Sequence, residues 1–112
     1  MDIRTMQYYL TVVREGTISA AAQALHVAQP SLSRQMKELE EELGAELFER
    51  GNRKITLTEE GMILRKRAEE MVHLMQMTED EISQIKNKRQ IKANSFFFIK
   101  CTASVQKLQF RF

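Results

Sequence analysis

The scarcity of residues that interrupt helices limits how this chain can fold more than any other feature. Its 112 residues include one proline and four glycines, and the stretches between them carry few residues that would break a helix. The placement of these interruptions predicts helices over about 3–15, about 17–25, about 29–43 and about 59–88. We therefore expect a mainly α-helical protein, with one small domain followed by a long helix.

Composition and motifs exclude several classes of protein. The sequence contains no run of eighteen apolar residues, the length needed to span a membrane. The N-terminus, Met1–Thr5, lacks the apolar core of a signal peptide. The single cysteine, Cys101, cannot form an internal disulfide or a thiolate metal cage, and His26 and His73 lack partners at ligand spacing. No glycine-rich phosphate loop or nucleophile motif is present. We expect a cytoplasmic protein that is not an enzyme and uses no metal or cofactor.

A pair of helices with a very short connection is predicted near the middle of the domain. Ser19–Leu25 is rich in alanine, which lets another helix approach closely, and His26–Ala28 is long enough only for a tight turn. Pro30 suits the first turn of the next helix, because its missing N–H needs no partner there. This arrangement is typical of a helix-turn-helix. The alternative is an ordinary helical hairpin with one solvated face.

The third predicted helix separates an apolar face from a polar one. At about 100° per residue, its large apolar side chains form one stripe that we expect to face the core. These residues are Leu32, Met36, Leu39 and Leu43. The opposite face carries Ser33, Arg34 and Lys37, preceded by Gln29 and Pro30, whereas acidic residues crowd the last turns. Amide, hydroxyl and guanidinium groups can read base edges in the major groove of DNA, so the helix would enter the groove by its N-terminal end.

A basic turn is predicted after the third helix. Two short apolar stretches, 47–48 and 55–57, flank the turn signal Gly51-Asn52, and residues 55–57 alternate like a half-buried strand. The tip of this hairpin would carry Arg50, Arg53 and Lys54. Three basic residues in a turn are usually only solvated. Beside a helix-turn-helix, however, we interpret the hairpin as a wing that reaches the DNA backbone or the minor groove.

The fourth predicted helix, residues 59–88 with Thr58 as its cap, is too long to pack wholly on a domain of about sixty residues. Its apolar positions alternate in steps of four and three, the spacing of a heptad seam that Thr78 interrupts. The seam consists of Leu64, Ala68, Met71, Met75, Ile82 and Ile85. The domain's own core can use only the first turns, so we expect a parallel or antiparallel pairing with a second copy.

The distribution of charge adds a constraint on how DNA could be bound. Residues 1–60 hold seven basic and ten acidic residues, a net charge of −3, so binding must depend on where the basic groups lie. Residues 61–112 hold ten basic and five acidic residues. In the last segment, 89–112, the apolar run Phe96–Ile99 has no partner strand, and we expect a disordered or loosely docked tail.

Residues 1 to about 88 resemble the N-terminal DNA-binding domain and linker helix of LysR-type bacterial transcriptional regulators. The residues that carry the resemblance are Tyr9-Leu10-x-Val12-Val13-x-Glu15-Gly16-Thr17-Ile18-Ser19, Ala21-Ala22-x-x-Leu25-x-Val27-x-Gln29-Pro30-Ser31-Leu32-Ser33-Arg34, Leu39-Glu40-x-x-Leu43-Gly44-x-x-Leu47-Phe48-x-Arg50 and Leu57-Thr58-x-x-Gly61. The resemblance implies a winged helix-turn-helix that dimerises through its linker helix and reads the major groove with the third helix. Lys37 joins the candidates from its helical position alone. The candidate DNA contacts are Gln29, Pro30, Ser31, Ser33, Arg34, Lys37, Arg50 and Arg53.

The resemblance also implies a function and a domain organisation. LysR-type regulators carry a C-terminal effector domain, and this chain stops where that domain would begin, so we expect no inducer site within it. We expect a regulator that binds a palindromic operator in double-stranded DNA as a homodimer. Its parts would be a DNA-binding domain (1–58), a dimerisation helix (59–88) and an effector-domain remnant (89–112). The alternative is a truncated interaction protein that forms heterodimers with full-length relatives and blocks them.

Overall fold

Helices make up most of the computed structural model of the chain, which describes residues 1–51 and 53–92. In chain order they are α1 (Ile3–Glu15), α2 (Ile18–Leu25), α3 (Gln29–Leu43) and α4 (Glu59–Lys92). Within the described ranges, a single antiparallel bridge joins Phe48 to Leu57 outside any longer strand. The prediction of a mainly α-helical protein with a long fourth helix is confirmed.

Local sequence signals define the ends of the first two helices. Asp2 caps α1 by accepting the Thr5 N–H, and this hydrogen bond holds the pKa of the Asp2 carboxyl below its usual value. Gly16 ends α1 in the left-handed region, with φ of 84°. Thr17 caps α2 through its side chain, and His26 ends that helix with φ of 56°. The helix therefore starts directly after Thr17, in agreement with the predicted start near residue 17.

The core of the first compact unit, Met1–Leu74, lies among α1, α2, α3 and the first turns of α4. The largest fully buried side chains are Tyr9, Met6, Leu32, Leu47 and Val12. The predicted apolar stripe of α3 is confirmed for Leu32, Met36 and Leu39, but it is wrong for Leu43, which is 41% exposed. Leu43 is the last residue of α3 and lines a surface groove with Met1 and Ile63 instead of facing the core.

The predicted hairpin after α3 forms, with less regular pairing than a two-stranded ribbon. The Glu49 N–H donates to the Thr56 carbonyl at 2.8 Å beside the Phe48–Leu57 bridge. Gly51 is in the left-handed region with φ of 88°, as a turn residue should be, while Asn52 lies outside the described residues. The prediction of a strand over 55–57 is wrong in extent, because the Ile55 N–H binds elsewhere in the domain.

The fourth helix begins where its cap predicts and ends later than expected. Thr58 accepts the Gly61 N–H at 3.0 Å, which caps the first turn. The helix continues to Lys92, so residues 89–92 belong to α4 and not to a disordered tail. The other residues of that predicted tail, 93–112, including the Phe96–Ile99 run and Cys101, lie outside the described residues. A second compact unit begins at Met75.

The predicted heptad seam of α4 divides into two parts. Leu64 and Ala68 are 8% and 0% exposed and belong to the core of the first unit. Met71 packs partly against the same core. In the second unit, by contrast, Met75 is half-buried, whereas Ile85 is 36% exposed and Ile82 is 62% exposed. The predicted seam is therefore occupied by the domain's own core at Leu64 and Ala68, and its later positions Ile82 and Ile85 are exposed.

Candidate nucleic-acid interface

The turn between α2 and α3 is as short as the sequence predicts. Val27 donates its N–H to the Ala22 carbonyl at 3.0 Å, and the left-handed His26 reverses the chain. Ala28 follows as the N-cap of α3, and Pro30 occupies its first turn. Because the connection is so short, the first turn of α3 begins immediately beside the end of α2. This is the helix-turn-helix geometry that the spacing predicts.

The polar residues predicted on α3 lie together on the surface opposite the buried stripe. All of them except Ser31, which is half-buried, have exposed side chains. We call this surface the reading face, and it consists of Gln29, Pro30, Ser33, Arg34 and Lys37. Gln29 and Ser33 carry hydrogen-bonding groups that can contact base edges. The cations of Arg34 and Lys37, within three turns of the same helix, can contact phosphates at the same time.

The hairpin lies beside the reading face. The Ile55 N–H donates to the Gly16 carbonyl at 2.7 Å, which fixes the second arm of the hairpin to the turn between α1 and α2. A groove of about 360 Å³ separates the hairpin from α3, and its lining includes Ser33, Lys37 and Arg50. The structure thus brings the α3 candidates and the wing candidates to adjoining surfaces, as a winged helix-turn-helix requires.

The basic residues of the wing differ in their surroundings. Arg50 donates from Nε to Glu46 Oε1 at 2.9 Å, with both side chains mostly exposed. Such a surface ion pair contributes at most about 1 kcal/mol, so a phosphate can replace it. Arg53 is exposed, and so is Lys54, which we placed at the tip but left out of the candidate contacts. Its exposure makes Lys54 a candidate of the same kind as Arg53.

The base of the wing is fastened to α3 and α4 through the backbone of Leu47. The Leu47 N–H donates to Glu40 Oε2 at 2.8 Å, and the Leu47 carbonyl accepts the Thr58 N–H at 3.0 Å. The Thr58 hydroxyl donates to the Glu46 carbonyl at 2.5 Å. A Cβ on Gly61 would overlap the Leu47 carbonyl oxygen, so this approach requires a glycine.

Tyr9 of α1 contacts both the start of α4 and the first arm of the wing. Its hydroxyl donates to the Gly61 carbonyl at 2.7 Å, and its ring lies 5.6 Å from that of Phe48. Burial raises the pKa of Tyr9 far above its usual value, so the hydroxyl stays protonated and remains a donor. The start of α4 and the first arm of the wing are therefore held against α1.

Electrostatics separate the two ends of α3. Arg34 and Lys37 precede Glu40–Glu42, which occupy its last turns. The N-terminal ammonium of Met1 pairs with both carboxylate oxygens of Glu42 at 2.7 Å. Since acidic groups repel DNA, α3 favours contact through its N-terminal half.

In the ranges that the structure describes, no group of three or more His, Cys, Asp or Glu residues is placed to hold a metal ion. A search of those same ranges for a helix long and apolar enough to cross a membrane finds none.

Comparison with known proteins identifies relatives along most of the described chain. The chain is 47% identical over 87 residues to the HTH-type transcriptional regulator BsdA of Bacillus subtilis (strain 168), covering 77% of this chain and 30% of BsdA. It is 38% identical over 78 residues to the HTH-type transcriptional regulator ClcR of Pseudomonas putida, covering 70% of this chain and 26% of ClcR. The chain thus spans about a third or less of the length of these relatives. Their names describe regulators, in agreement with the expectation that this chain is not an enzyme.

Solved structures share the fold. A crystal structure of BenM DBD with benA site 1 DNA superposes with a TM-score of 0.75 at 37% identity, covering 77% of this chain and 97% of that chain. A crystal structure of a CbnR DBD–DNA complex gives a TM-score of 0.71 at 36% identity, covering 77% and 99%. The predicted winged helix-turn-helix with a following long helix is confirmed by these matches. The family of bacterial regulatory helix-turn-helix proteins of the lysR type matches residues 3–62. The chain, with this fold and these relatives, belongs to the lysR family.

Proposed function

We propose that this protein is a sequence-specific DNA-binding transcriptional regulator that reads its operator with α3. The observation that carries the proposal is the reading face, where exposed amide, hydroxyl and cationic side chains adjoin a basic wing. The BenM and CbnR domains that share the fold are bound to DNA in their crystal structures. Because the chain spans only 30% of BsdA and 26% of ClcR, the proposal concerns the activity of this chain alone.

The proposed mechanism divides the contacts by chemistry. Gln29 and Ser33 carry short polar groups on the first turns of α3, where they can meet base edges in the major groove. Arg34 and Lys37 supply charge for phosphates on the same face. Arg53 lies on the wing beside them, where it reaches the backbone or the minor groove. Base contacts then select the sequence, and phosphate contacts hold the helix in register.

We further propose that the protein binds a palindromic operator as a homodimer. The two-fold symmetry of a dimer matches two half-sites of opposite orientation. Exposed apolar side chains on α4 support pairing there, because Ile82 is 62% exposed and Ile85 is 36% exposed. Met71 and Met75 lie earlier on the same helix and are half-buried. Leu64 and Ala68 contribute indirectly, since their side chains are occupied in the core.

The alternative is an interaction protein that pairs with longer relatives through α4 and blocks them. Both functions use the same apolar side chains of α4, so dimerisation alone does not separate them. A protein that only pairs has no use for Gln29, Ser33 and Arg34 on an exposed face, which favours DNA reading. The lone Cys101, which lies outside the described residues, is compatible with action in the reducing cytoplasm.

Removing the base-reading groups of α3 is expected to reduce specificity. Gln29→Ala and Ser33→Ala should each lower the ratio of operator to scrambled-DNA affinity by about 5- to 150-fold, since a good base contact discriminates by about 1–3 kcal/mol. Non-specific affinity should change little, because phosphate contacts remain. Titrations of both DNAs at two salt concentrations measure the ratio.

Two controls accompany this test. Gln7→Ala removes the same side chain from the exposed surface of α1 and should leave the ratio unchanged. Arg53→Ala should weaken all sequences alike if it touches the backbone, or weaken A·T-rich flanks most if it enters the minor groove. An unchanged ratio in both α3 variants would show that α3 does not read the operator.

Introducing a charge into the proposed pairing surface is expected to separate the dimer. Ile82→Glu should raise the dissociation constant of the dimer by at least about tenfold, because burying an unpaired carboxylate costs several kcal/mol. Met75→Glu should act in the same direction. Ser83→Glu adds the same charge at the next, exposed position and serves as the control. Sedimentation equilibrium measures the constant, and a dimer unaffected by Ile82→Glu rules out pairing through this part of α4.

A further inference from the structure

Glu40 makes a contact that its place among the acidic residues of α3 does not suggest. Its side chain is only partly exposed, and Oε2 accepts the Leu47 N–H at 2.8 Å. Its backbone carbonyl accepts the Ala45 N–H at 3.2 Å. One residue of α3 therefore binds the chain at two points along the path that leads from the helix into the wing.

The wing depends on how its base is held, because its own pairing is slight. Among the described residues, the pairing consists of the Phe48–Leu57 bridge and the hydrogen bond from the Glu49 N–H to the Thr56 carbonyl. Short two-stranded ribbons have little stability of their own in water. The position of Arg53 relative to α3 therefore depends on the contacts at the base of the wing, among them those of Leu47, whose side chain is 1% exposed.

The contacts at the base of the wing come from different parts of the domain. The Gly16 carbonyl holds Ile55, and Thr58 at the start of α4 holds the Leu47 carbonyl, both through backbone hydrogen bonds. Glu40 adds a hydrogen bond from α3 itself. Its acceptor is a carboxylate, which makes a stronger hydrogen bond than a neutral group does. Without that acceptor, the Leu47 N–H would lose its partner in a partly buried position.

We propose that Glu40 is a positioning residue that sets the wing relative to the reading face, so that Arg53 meets the DNA while Ser33 reads it. This inference rests on the proposed DNA-binding function and assigns it one further residue. Glu40 itself touches no DNA in this proposal. Its effect on binding passes through Leu47 to the wing, so removing Glu40 should abolish the contribution of Arg53 and leave that of Ser33.

A double-mutant cycle on one operator tests this role. In the otherwise unchanged protein, Arg53→Ala should weaken binding by about fivefold or more. In a Glu40→Ala background, the same substitution should weaken binding by less than about twofold, since residues that act through one another are not additive. Ser33→Ala should keep its full effect in both backgrounds. Fluorescence anisotropy at one salt concentration gives all the affinities, and thermal unfolding confirms that each variant is folded.

Three further variants separate positioning from general effects. Glu40→Gln keeps an oxygen acceptor and should restore the effect of Arg53→Ala. Glu41→Ala removes the same charge from the next, exposed residue of α3 and should leave the effect of Arg53→Ala intact. Glu40→Met keeps the length of the side chain without the acceptor, and it replaces Glu40→Ala in the cycle if the alanine variant does not fold.

The outcomes are distinct. Equal effects of Arg53→Ala with and without Glu40 would overturn the positioning role, and so would an Arg53→Ala variant that binds as well as the unchanged protein. Failure of the unchanged protein to bind any DNA sequence would instead refute the proposed function. Loss of the Arg53→Ala effect in the Glu40→Ala background, together with its recovery in the Glu40→Gln background, supports the inference.

Discussion

Gly61→Ala is expected to lower the free energy of unfolding by about 1–3 kcal/mol, the usual cost of overpacking a tight site. At an exposed helix position the same change would stabilise the helix by up to about 1 kcal/mol. Here the added Cβ would overlap the Leu47 carbonyl oxygen and approach the Leu57 side chain to 3.1 Å. The sign of the effect is therefore opposite to helix propensity.

Chemical denaturation of the purified protein measures this change. Met62→Ala, at the next position of α4 and 57% exposed, is the control and should change stability by less than about 0.5 kcal/mol. A Gly61→Ala variant as stable as the unchanged protein would mean that the α4 start does not approach Leu47 so closely in solution. The wing should also lose part of its DNA affinity, because Leu47 anchors it.

DNA binding should weaken by about 10²- to 10⁴-fold when the salt concentration rises from 50 to 200 mM. We expect roughly four to eight phosphate contacts per dimer, and each releases about 0.9 of a counterion. The exposed cations that we propose for these contacts are Arg34, Lys37, Arg50 and Arg53. Arg50 contributes less if its pair with Glu46 persists on DNA.

A series of titrations between these salt concentrations gives the slope of log K against log salt. Lys37→Ala should make the slope shallower by about 1.8 per dimer if each Lys37 contacts one phosphate. Lys66→Ala, an exposed cation on α4 outside the reading face, should leave the slope unchanged. A nearly flat dependence in the unchanged protein would contradict phosphate-anchored binding.

The elements that were predicted correctly are those with signals in adjacent residues. Asp2 and Thr17 cap their helices through their own side chains, and Gly16 can adopt the left-handed conformation that ends α1. Pro30 begins α3 for an equally local reason. These effects depend on a few neighbouring residues, so the sequence contains them in full.

Features that depend on distant residues were predicted poorly. Leu64 and Ala68 have the spacing of a pairing seam, yet a helix buried in its own domain shows the same periodicity. The contact of Glu40 with Leu47 joins residues seven positions apart and depends on the path of the chain after α3. Leu43 continues the helical spacing of the buried residues of α3, but it is the last residue of the helix and lies outside the core.

The division of α4 has a consequence for how such proteins diversify. Changes at Leu64 or Ala68 disturb the core that supports the reading face, so selection for folding restrains them. Ile82 and Ile85 lie in the second compact unit, outside that core. If the chains pair through this part of α4 as proposed, mutations there would alter which copies associate without disturbing that core. Partner choice and DNA reading would then be open to change separately, because they depend on different parts of one helix and of the domain.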